Sequence, residues 1–287
     1  MDRIAKPKNT KEIIEKNKFR FSKSLGQNFL IDMNILERII EGSKITNTDY
    51  VLEIGPGIGS LTQYIADKAQ KVIAVEIDTK LISILEKTLQ PYNNVEIIHG
   101  DILKIDLDKI AQEKFENQKF KVIANLPYYL TTPIIMRLLE GKLPISSITV
   151  MIQEEVGRRL GAQPSTKEYG ALSIAVQYYC QTKQLLRVPP SVFIPQPKVD
   201  SVVIHLDVLE NPRVHVDDET LFFKIVKDAF GKRRKTLLNA LSTGDLAFNK
   251  DFLRQVLQLV EIDGSRRGET LSIDEFAKLA NAISKKL

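Results

Sequence analysis

The tetrapeptide Asn125-Leu126-Pro127-Tyr128 closes a short β-branched run, Lys121-Val122-Ile123-Ala124. Its residue types suit one demanding task. The exocyclic amine of a nucleobase is a poor nucleophile because its lone pair is delocalised into the ring. Two acceptors, the Asn125 side-chain oxygen and a main-chain carbonyl such as that of Leu126, can receive its two hydrogens and favour the pyramidal geometry that develops on attack. Tyr128 can stack on the ring and hold the nitrogen in line with an electrophile. No strong general base is needed, since the nitrogen becomes acidic as it is alkylated. Asn and Pro also terminate strands for purely local reasons, so the tetrapeptide acquires meaning only from its place in a fold. A second candidate lies in Phe193-Ile194-Pro195-Gln196-Pro197-Lys198-Val199-Asp200-Ser201. Its closely spaced prolines stiffen the loop and could present Phe193 as another stacking face; a core phenylalanine beside an edge strand is the alternative. A base held between two rings must leave its own stack, at a cost of a few kcal/mol against roughly 1–3 kcal/mol per aromatic contact, so the substrate should be single-stranded or in a loop.

The electrophile would be held upstream. The run Tyr50-Val51-Leu52-Glu53-Ile54 leads into Gly55-Pro56-Gly57-Ile58-Gly59, where glycine lets the backbone bend tightly and approach a ligand. The spacing is GxGxG rather than the GxGxxG that seats a pyrophosphate. Glu53 beside the turn suits a ligand with an amine or positive charge better than one with phosphates. Glu76 ends the next strand-like run, where a carboxylate can accept both ribose hydroxyls, and Asp101 follows the third, where it could accept the amine of adenine. Each carboxylate alone is more often a loop or cap residue. Three at the carboxyl ends of successive strands favour an adenosyl ligand, and S-adenosylmethionine carries both an amine and a sulfonium.

The elements that must position these residues are legible as a rhythm. Short apolar runs begin at Tyr50, Val72, Val95, Lys121 and Ser147, 22 to 26 residues apart. They suit buried parallel strands, with room for one crossover helix each, as in 61–69 and 79–89. Thr132-Pro133 is expected to open the helix after the fourth strand as N-cap and first helical residue. The expected fold is therefore α/β, a doubly wound Rossmann-like sheet. Beyond Leu209-Glu210-Asn211-Pro212 the pattern turns helical through 221–241, 252–260 and 273–283, with Ser272 and Glu275 as a capping box. This predicts a catalytic domain over 1–208 and a smaller all-α domain over 209–287.

Charge adds a partner. The chain has 287 residues, 43% apolar and 27% charged, and 41 basic against 36 acidic side chains leave a net charge of +5. Residues 1–27 hold eight basic side chains against three acidic. A second cluster (Lys224, Lys227, Lys232, Arg233, Arg234, Lys235) faces only Asp228 within its own run. Such stretches are often a solvated helix face; two in one chain tilt toward a polyanion. No apolar run approaches the roughly 18 residues of a membrane span. The N-terminus lacks the apolar core of a signal peptide, so a cytoplasmic protein is expected. The single cysteine, Cys180, allows no internal disulfide, and with His99, His205 and His215 it forms no cluster at metal-ligand spacing, so no metal is expected.

Together these residues resemble the ribosomal RNA adenine-N6 dimethyltransferases, and within them the bacterial small-subunit branch whose loss confers kasugamycin resistance. The resemblance covers nearly the whole chain. It begins at Ser24 to Leu30 and runs through the glycine loop, Val75 to Asp78, Gly100-Asp101, Asn125 to Tyr128 and Phe193 to Ser201. It persists at Arg233 to Leu237 and Arg267 to Leu271. It implies that S-adenosylmethionine is touched by Asn28, Leu30, Gly55, Glu76, Asp101 and Asn125. It also implies a substrate of two adjacent adenosines in a hairpin loop near the 3′ end of 16S rRNA, each receiving two methyl groups, within a pre-30S particle. Arg233, Arg234 and Lys235, with the N-terminal lysines and Arg158 and Arg159, are then candidates to grip RNA phosphates while the pocket chooses the base. A monomer is the default expectation. Tyr129 stands where many relatives carry another residue. A sister group acting on 23S rRNA usually has Ile in place of Leu126 and lacks the Pro-Gln-Pro-Lys-Val-Asp-Ser run. A non-catalytic assembly factor and a nicotinamide-dependent oxidoreductase are the rivals from other classes.

Overall fold

A computed structural model describes residues 3–22 and 25–286; Lys23 of the basic N-terminal stretch and Ser24, which opens the first motif, lie outside the described residues. In chain order the elements are α1 (Pro7–Lys16), β1 (Phe29–Leu30), α2 (Met33–Ser43), β2 (Tyr50–Ile54), α3 (Ser60–Ala66), β3 (Lys71–Glu76), α4 (Thr79–Thr88), β4 (Val95–His99), α5 (Leu107–Phe115), β5 (Phe120–Asn125), α6 (Thr131–Glu140), β6 (Ile145–Gln153), α7 (Glu154–Leu160), α8 (Ala171–Tyr179), β7 (Cys180–Val188), β8 (Phe193–Ile194), β9 (Ser201–Val208), α9 (Glu219–Gly231), α10 (Leu237–Thr243), α11 (Lys250–Leu259) and α12 (Ile273–Ser284). None of the helices among the described residues is long and apolar enough to cross a membrane.

The chain divides into two compact units, 1–157 with 182–208, and 158–181 with 209–287. The first is built on a seven-stranded sheet of order β4-β3-β2-β5-β6-β9-β7. Strands β2 to β6 pair in parallel, and β9 lies antiparallel to β6. Val51, Leu52, Val72, Ile73, Val122 and Ile148 are fully buried, as expected where helices cover both faces of a parallel sheet. The chain leaves β2 toward β3 and β4 and returns to β5 on its other flank. Strand order therefore reverses between β2 and β5, and a crevice opens at their carboxyl ends. Register sets what meets there: Ile54 pairs with both Val75 and Ala124, so the glycine turn, Glu76 and Asn125 leave the sheet at one edge. A separate antiparallel pair joins Phe29 to Ile194 and Leu30 to Phe193.

Helix α6 departs from its expected start. It begins at Thr131, continuing a single tight turn over 128–130, and Leu130 provides no side-chain cap. The Pro127 carbonyl instead accepts from the Leu130 amide at 3.0 Å and the Thr131 hydroxyl at 3.4 Å. The turn chemistry sits one residue before Thr132, and Pro133 falls inside the first turn.

The second unit is all-α, with Phe222, Ile225, Leu237, Leu253, Val256, Phe276 and Leu279 at its centre. A single cut after residue 208 leaves 158–181 with the sheet. Packing instead buries Tyr169, Ile174 and Tyr178 in the helical core, and the Tyr169 hydroxyl donates to the Leu271 carbonyl at 2.8 Å. The expected continuous helix over 221–241 is broken: α9 stops at Gly231, Lys232 leaves helical geometry, and Thr236 caps α10. The basic cluster thereby becomes a turn rather than a helix face. The capping box of Ser272 and Glu275 is present, and Glu275 also receives the Arg266 guanidinium through both terminal nitrogens.

Candidate active site

At the carboxyl edge of β2, β3 and β5 a pocket is walled by the 25–30 segment, the glycine turn, Glu76 and Ile77, and Ala124 to Tyr128. Of the residues singled out in the sequence, Asn28, Leu30, Gly55, Glu76, Asn125, Leu126, Pro127 and Tyr128 meet here. Asp101 and Phe193 do not line it.

Gly55 and Gly57 have φ of +67° and +62°, the left-handed region that costs other residues roughly 1–2 kcal/mol. At Gly57 a Cβ would also stand 3.1 Å from the Phe29 ring. The Glu76 carboxylate is buried and accepts three backbone N–H bonds, from Ile77 and Asp78 at 2.9 Å and from Gly57 at 3.2 Å. Burial raises its pKa against the opposing pull of these amides. The bonds fix both oxygens at the pocket wall and tie the glycine turn to the end of β3.

Beneath the turn lies an unsatisfied polar group. Glu53 is 1% exposed, and its Oε2, with Ser60 Oγ and Thr62 Oγ1, is buried without a hydrogen-bond partner. Burial pushes the Glu53 carboxyl up to about 8; the neighbouring Thr62 hydroxyl opposes this, and the Glu76 carboxylate adds to it. Orphaned buried polar atoms are rare in native proteins and mark a place for a polar ligand group or water.

Asn125 is oriented by a bond that sequence reasoning missed. Its Nδ2 donates to the Asn28 main-chain carbonyl at 3.0 Å. A carbonyl can only accept, so the NH₂ must face Asn28, and Oδ1 is the acceptor left for a ligand on the pocket side. The Asn28 side chain in turn donates to the Gly26 carbonyl at 3.0 Å. Across the motif, the Tyr128 hydroxyl and Ser201 Oγ lie 2.8 Å apart, which anchors the far end of the ring from β9; burial raises the phenol pKa and keeps it neutral.

The N-terminal segment forms a wall that composition did not announce. Gln27 donates to Asp78 at 2.7 Å and accepts from the Ser22 amide at 2.8 Å, while Phe29 packs against Phe19 and Phe21 with ring centroids 5.7 and 5.1 Å away. Asp78 following Glu76 was the available signal, since a carboxylate at a helix start is recognisable. Arg3 is tied to Asp67 at 2.7 Å and lies over the Tyr64 ring.

Two candidates lie outside the pocket lining. Phe193 is 2% exposed, its backbone paired with Leu30 and its ring in the core with Met151 and Val203. In this arrangement the ring packs in the core cluster behind the Leu30 strand. Asp101 makes a local turn, Oδ1 accepting from the Leu103 amide at 2.9 Å, with Lys104 3.7 Å from its Oδ2. Among the basic candidates, Arg233 is engaged internally, donating to the Lys167 carbonyl at 3.1 Å and to Glu269 at 3.3 Å. Asp228 is not a counter-ion for the surface cluster; it is buried and accepts from the Asp245 and Leu246 amides, both at 2.9 Å. Arg158, Arg159, Arg234 and Lys235 are exposed. No group of three or more metal-ligating side chains comes together among the described residues.

Comparison with known proteins agrees with this geometry. A family model described as ribosomal RNA adenine dimethylase matches residues 18–279. The chain is 63% identical over its full length to the full length of the Ribosomal RNA small subunit methyltransferase A of Alkaliphilus oremlandii. It is 52% identical to the protein of that name from Clostridioides difficile, covering 100% of this chain and 99% of the relative. The crystal structure of a dimethyladenosine transferase from Plasmodium falciparum superposes with a TM-score of 0.78 at 28% identity, covering 90% of this chain and 98% of that one. With the acceptor Asn125, the glycine turn and a sheet of methyltransferase order in place, the chain belongs to the ribosomal RNA adenine dimethylase family of methyltransferases.

Proposed function

We propose that this protein transfers methyl groups from S-adenosylmethionine to the N6 amines of two adjacent adenosines in a hairpin loop near the 3′ end of 16S rRNA. Each adenosine receives two groups, within a pre-30S particle, and the enzyme acts as a cytoplasmic monomer. The small-subunit relatives, matched from end to end, support the choice of RNA. The observation that carries the chemistry is the Asn125 amide locked by the Asn28 carbonyl, which aims Oδ1 at a hydrogen of the target amine.

The cofactor fits the residues present: the orphaned Glu53 Oε2 and Ser60 Oγ at the pocket wall and the buried Glu76 carboxylate at the end of β3 are the partners an amine and a ribose need. When bound, it supplies an electrophilic methyl group on a sulfonium. Glu76 would hold the ribose hydroxyls on oxygens already fixed by backbone amides. Gly55 admits the ligand close to the chain, and Asn28 and Leu30 close the wall. Asp101, only loosely held by Lys104, keeps an oxygen able to accept the adenine amine. Tyr128, anchored through Ser201, stacks on the target base. Asn125, with the Leu126 carbonyl, then draws the amine out of conjugation as it attacks, and the proton lost from the alkylated nitrogen passes to solvent. Pro127 sets the turn that presents them.

Radiolabelled methyl transfer to 30S particles lacking the modification, and separately to 23S rRNA, tests this directly. Label should map to two adjacent adenosines of 16S rRNA; label only on 23S rRNA would overturn the substrate assignment. The exposed basic residues have their own test. Arg234 and Lys235, with Arg158, Arg159 and the N-terminal lysines, are proposed to grip phosphates, with Arg233 bracing their turn through Glu269. Replacing Arg234 and Lys235 by alanine should reduce the dependence of particle binding on log salt by about one unit per residue and leave cofactor affinity unchanged. An unaltered salt slope would remove them from the interface.

A further inference from the structure

The family reaction uses the pocket interior, yet the largest aromatic surface near it lies outside. Tyr129 is 54% exposed, one of few large apolar side chains left so among the described residues. It directly follows Tyr128 in the tight turn over 128–130, so it stands where the pocket wall meets solvent. Its ring lies beside Gly26, another wall residue: even a Cβ added to Gly26 would only reach ordinary contact with Tyr129 Cε1 and Cδ1, at 3.5 and 3.6 Å. The ring thus borders the wall with more than half of the residue in water. Burial explains Phe193 and Phe29; it does not explain an exposed aromatic at the rim.

We propose that Tyr129 is a positioning residue that stacks on the nucleobase next to the one held in the pocket. This rests on the reading of the site as an adenosine methyltransferase. Extruding one base leaves its chain neighbour with an uncovered face at the mouth, and every base has a π-face that an exposed ring can cover. Tyr128 inside and Tyr129 outside then read two consecutive nucleotides, one as the reacting base and one as the register. Tyr129 touches no reacting atom in this scheme. Its contribution is to the fraction of encounters in which the correct nucleotide enters.

The test uses the full-length enzyme and 30S particles reconstituted around unmodified 16S rRNA, in native sequence and with the neighbouring purine replaced by a pyrimidine or an abasic site. On native particles Tyr129→Ala should lower kcat/KM roughly ten- to a hundred-fold, chiefly through KM for the particle. The cofactor dissociation constant should be unchanged, and Tyr129→Phe and Tyr129→Trp should restore activity. On abasic particles the wild-type and Tyr129→Ala enzymes should converge. A Tyr129→Ala loss that persists at full size without the neighbouring base, or that resides in cofactor affinity, would overturn the proposal, as would full activity of Tyr129→Ala on native particles. Absence of label from the wild-type enzyme on native particles would instead strike the functional reading itself, so the two failures are distinguishable.

Discussion

Asn125→Ala should reduce methyl transfer by about two to three orders of magnitude in kcat, the scale set by removing one pre-aimed hydrogen-bonding group from a site where charge develops. The fold should survive, because the substitution removes one hydrogen bond, that to Asn28, worth about 1 kcal/mol. Asn28→Ala gives the contrast. It leaves the main-chain carbonyl that orients Asn125 in place and removes the side-chain bond to Gly26, so its effect on kcat should be much smaller and appear mainly in cofactor binding. Single-turnover rates with saturating cofactor separate the two. An Asn125→Ala enzyme within a few-fold of wild type would remove the amide from the mechanism, and the proposed chemistry with it.

The second large effect concerns Glu53 and has a definite sign. Its carboxyl lies near 8 in the folded protein against an ordinary value of 4.5. Between those values the unfolded chain has lost a proton that the folded chain retains, so stability falls as pH rises through this window and the full penalty is present above about pH 8. Glu53→Gln removes the charge, and its amide can hydrogen-bond to the neighbouring Thr62 hydroxyl. Urea denaturation of the cofactor-free protein should show wild type and variant nearly equal at pH 4, with the variant more stable by a few kcal/mol at pH 9. A difference independent of pH would show that the Glu53 carboxyl titrates alike in the folded and unfolded chain. If the amine of the cofactor sits beside this carboxylate, the same variant binds cofactor more weakly while being the more stable protein.

Strands β2 to β6 were legible because a parallel strand buried on both faces reads as an unbroken apolar run, and the regular interval between runs left room only for crossover helices. Strand β7 was not: Cys180-Gln181-Thr182-Lys183-Gln184 is mostly polar, as befits the edge of a sheet. The two-residue strands β1 and β8 carry no period at all. Within the site, side-chain chemistry was readable and main-chain chemistry was not. The types of Glu76, Asn125 and Tyr128 announce themselves, whereas Asn28 acts through a carbonyl that every residue possesses. Phe193 shows the converse limit, since a phenylalanine beside prolines looks the same whether it stacks on a ligand or fills a core. The Arg233 ion pair was not legible because its partner, Glu269, lies 36 residues away, beyond any local count of charge.

The pairing of Leu30 with Phe193 also bears on biosynthesis. One side of the pocket emerges from the ribosome early, yet its backing strand arrives more than 160 residues later, and the hydroxyl that steadies Tyr128 later still. A nascent chain that has reached Tyr128 therefore still lacks both the strand that pairs with Leu30 and the hydroxyl beside Tyr128. The finished cleft is a product of the whole catalytic unit rather than of its first half.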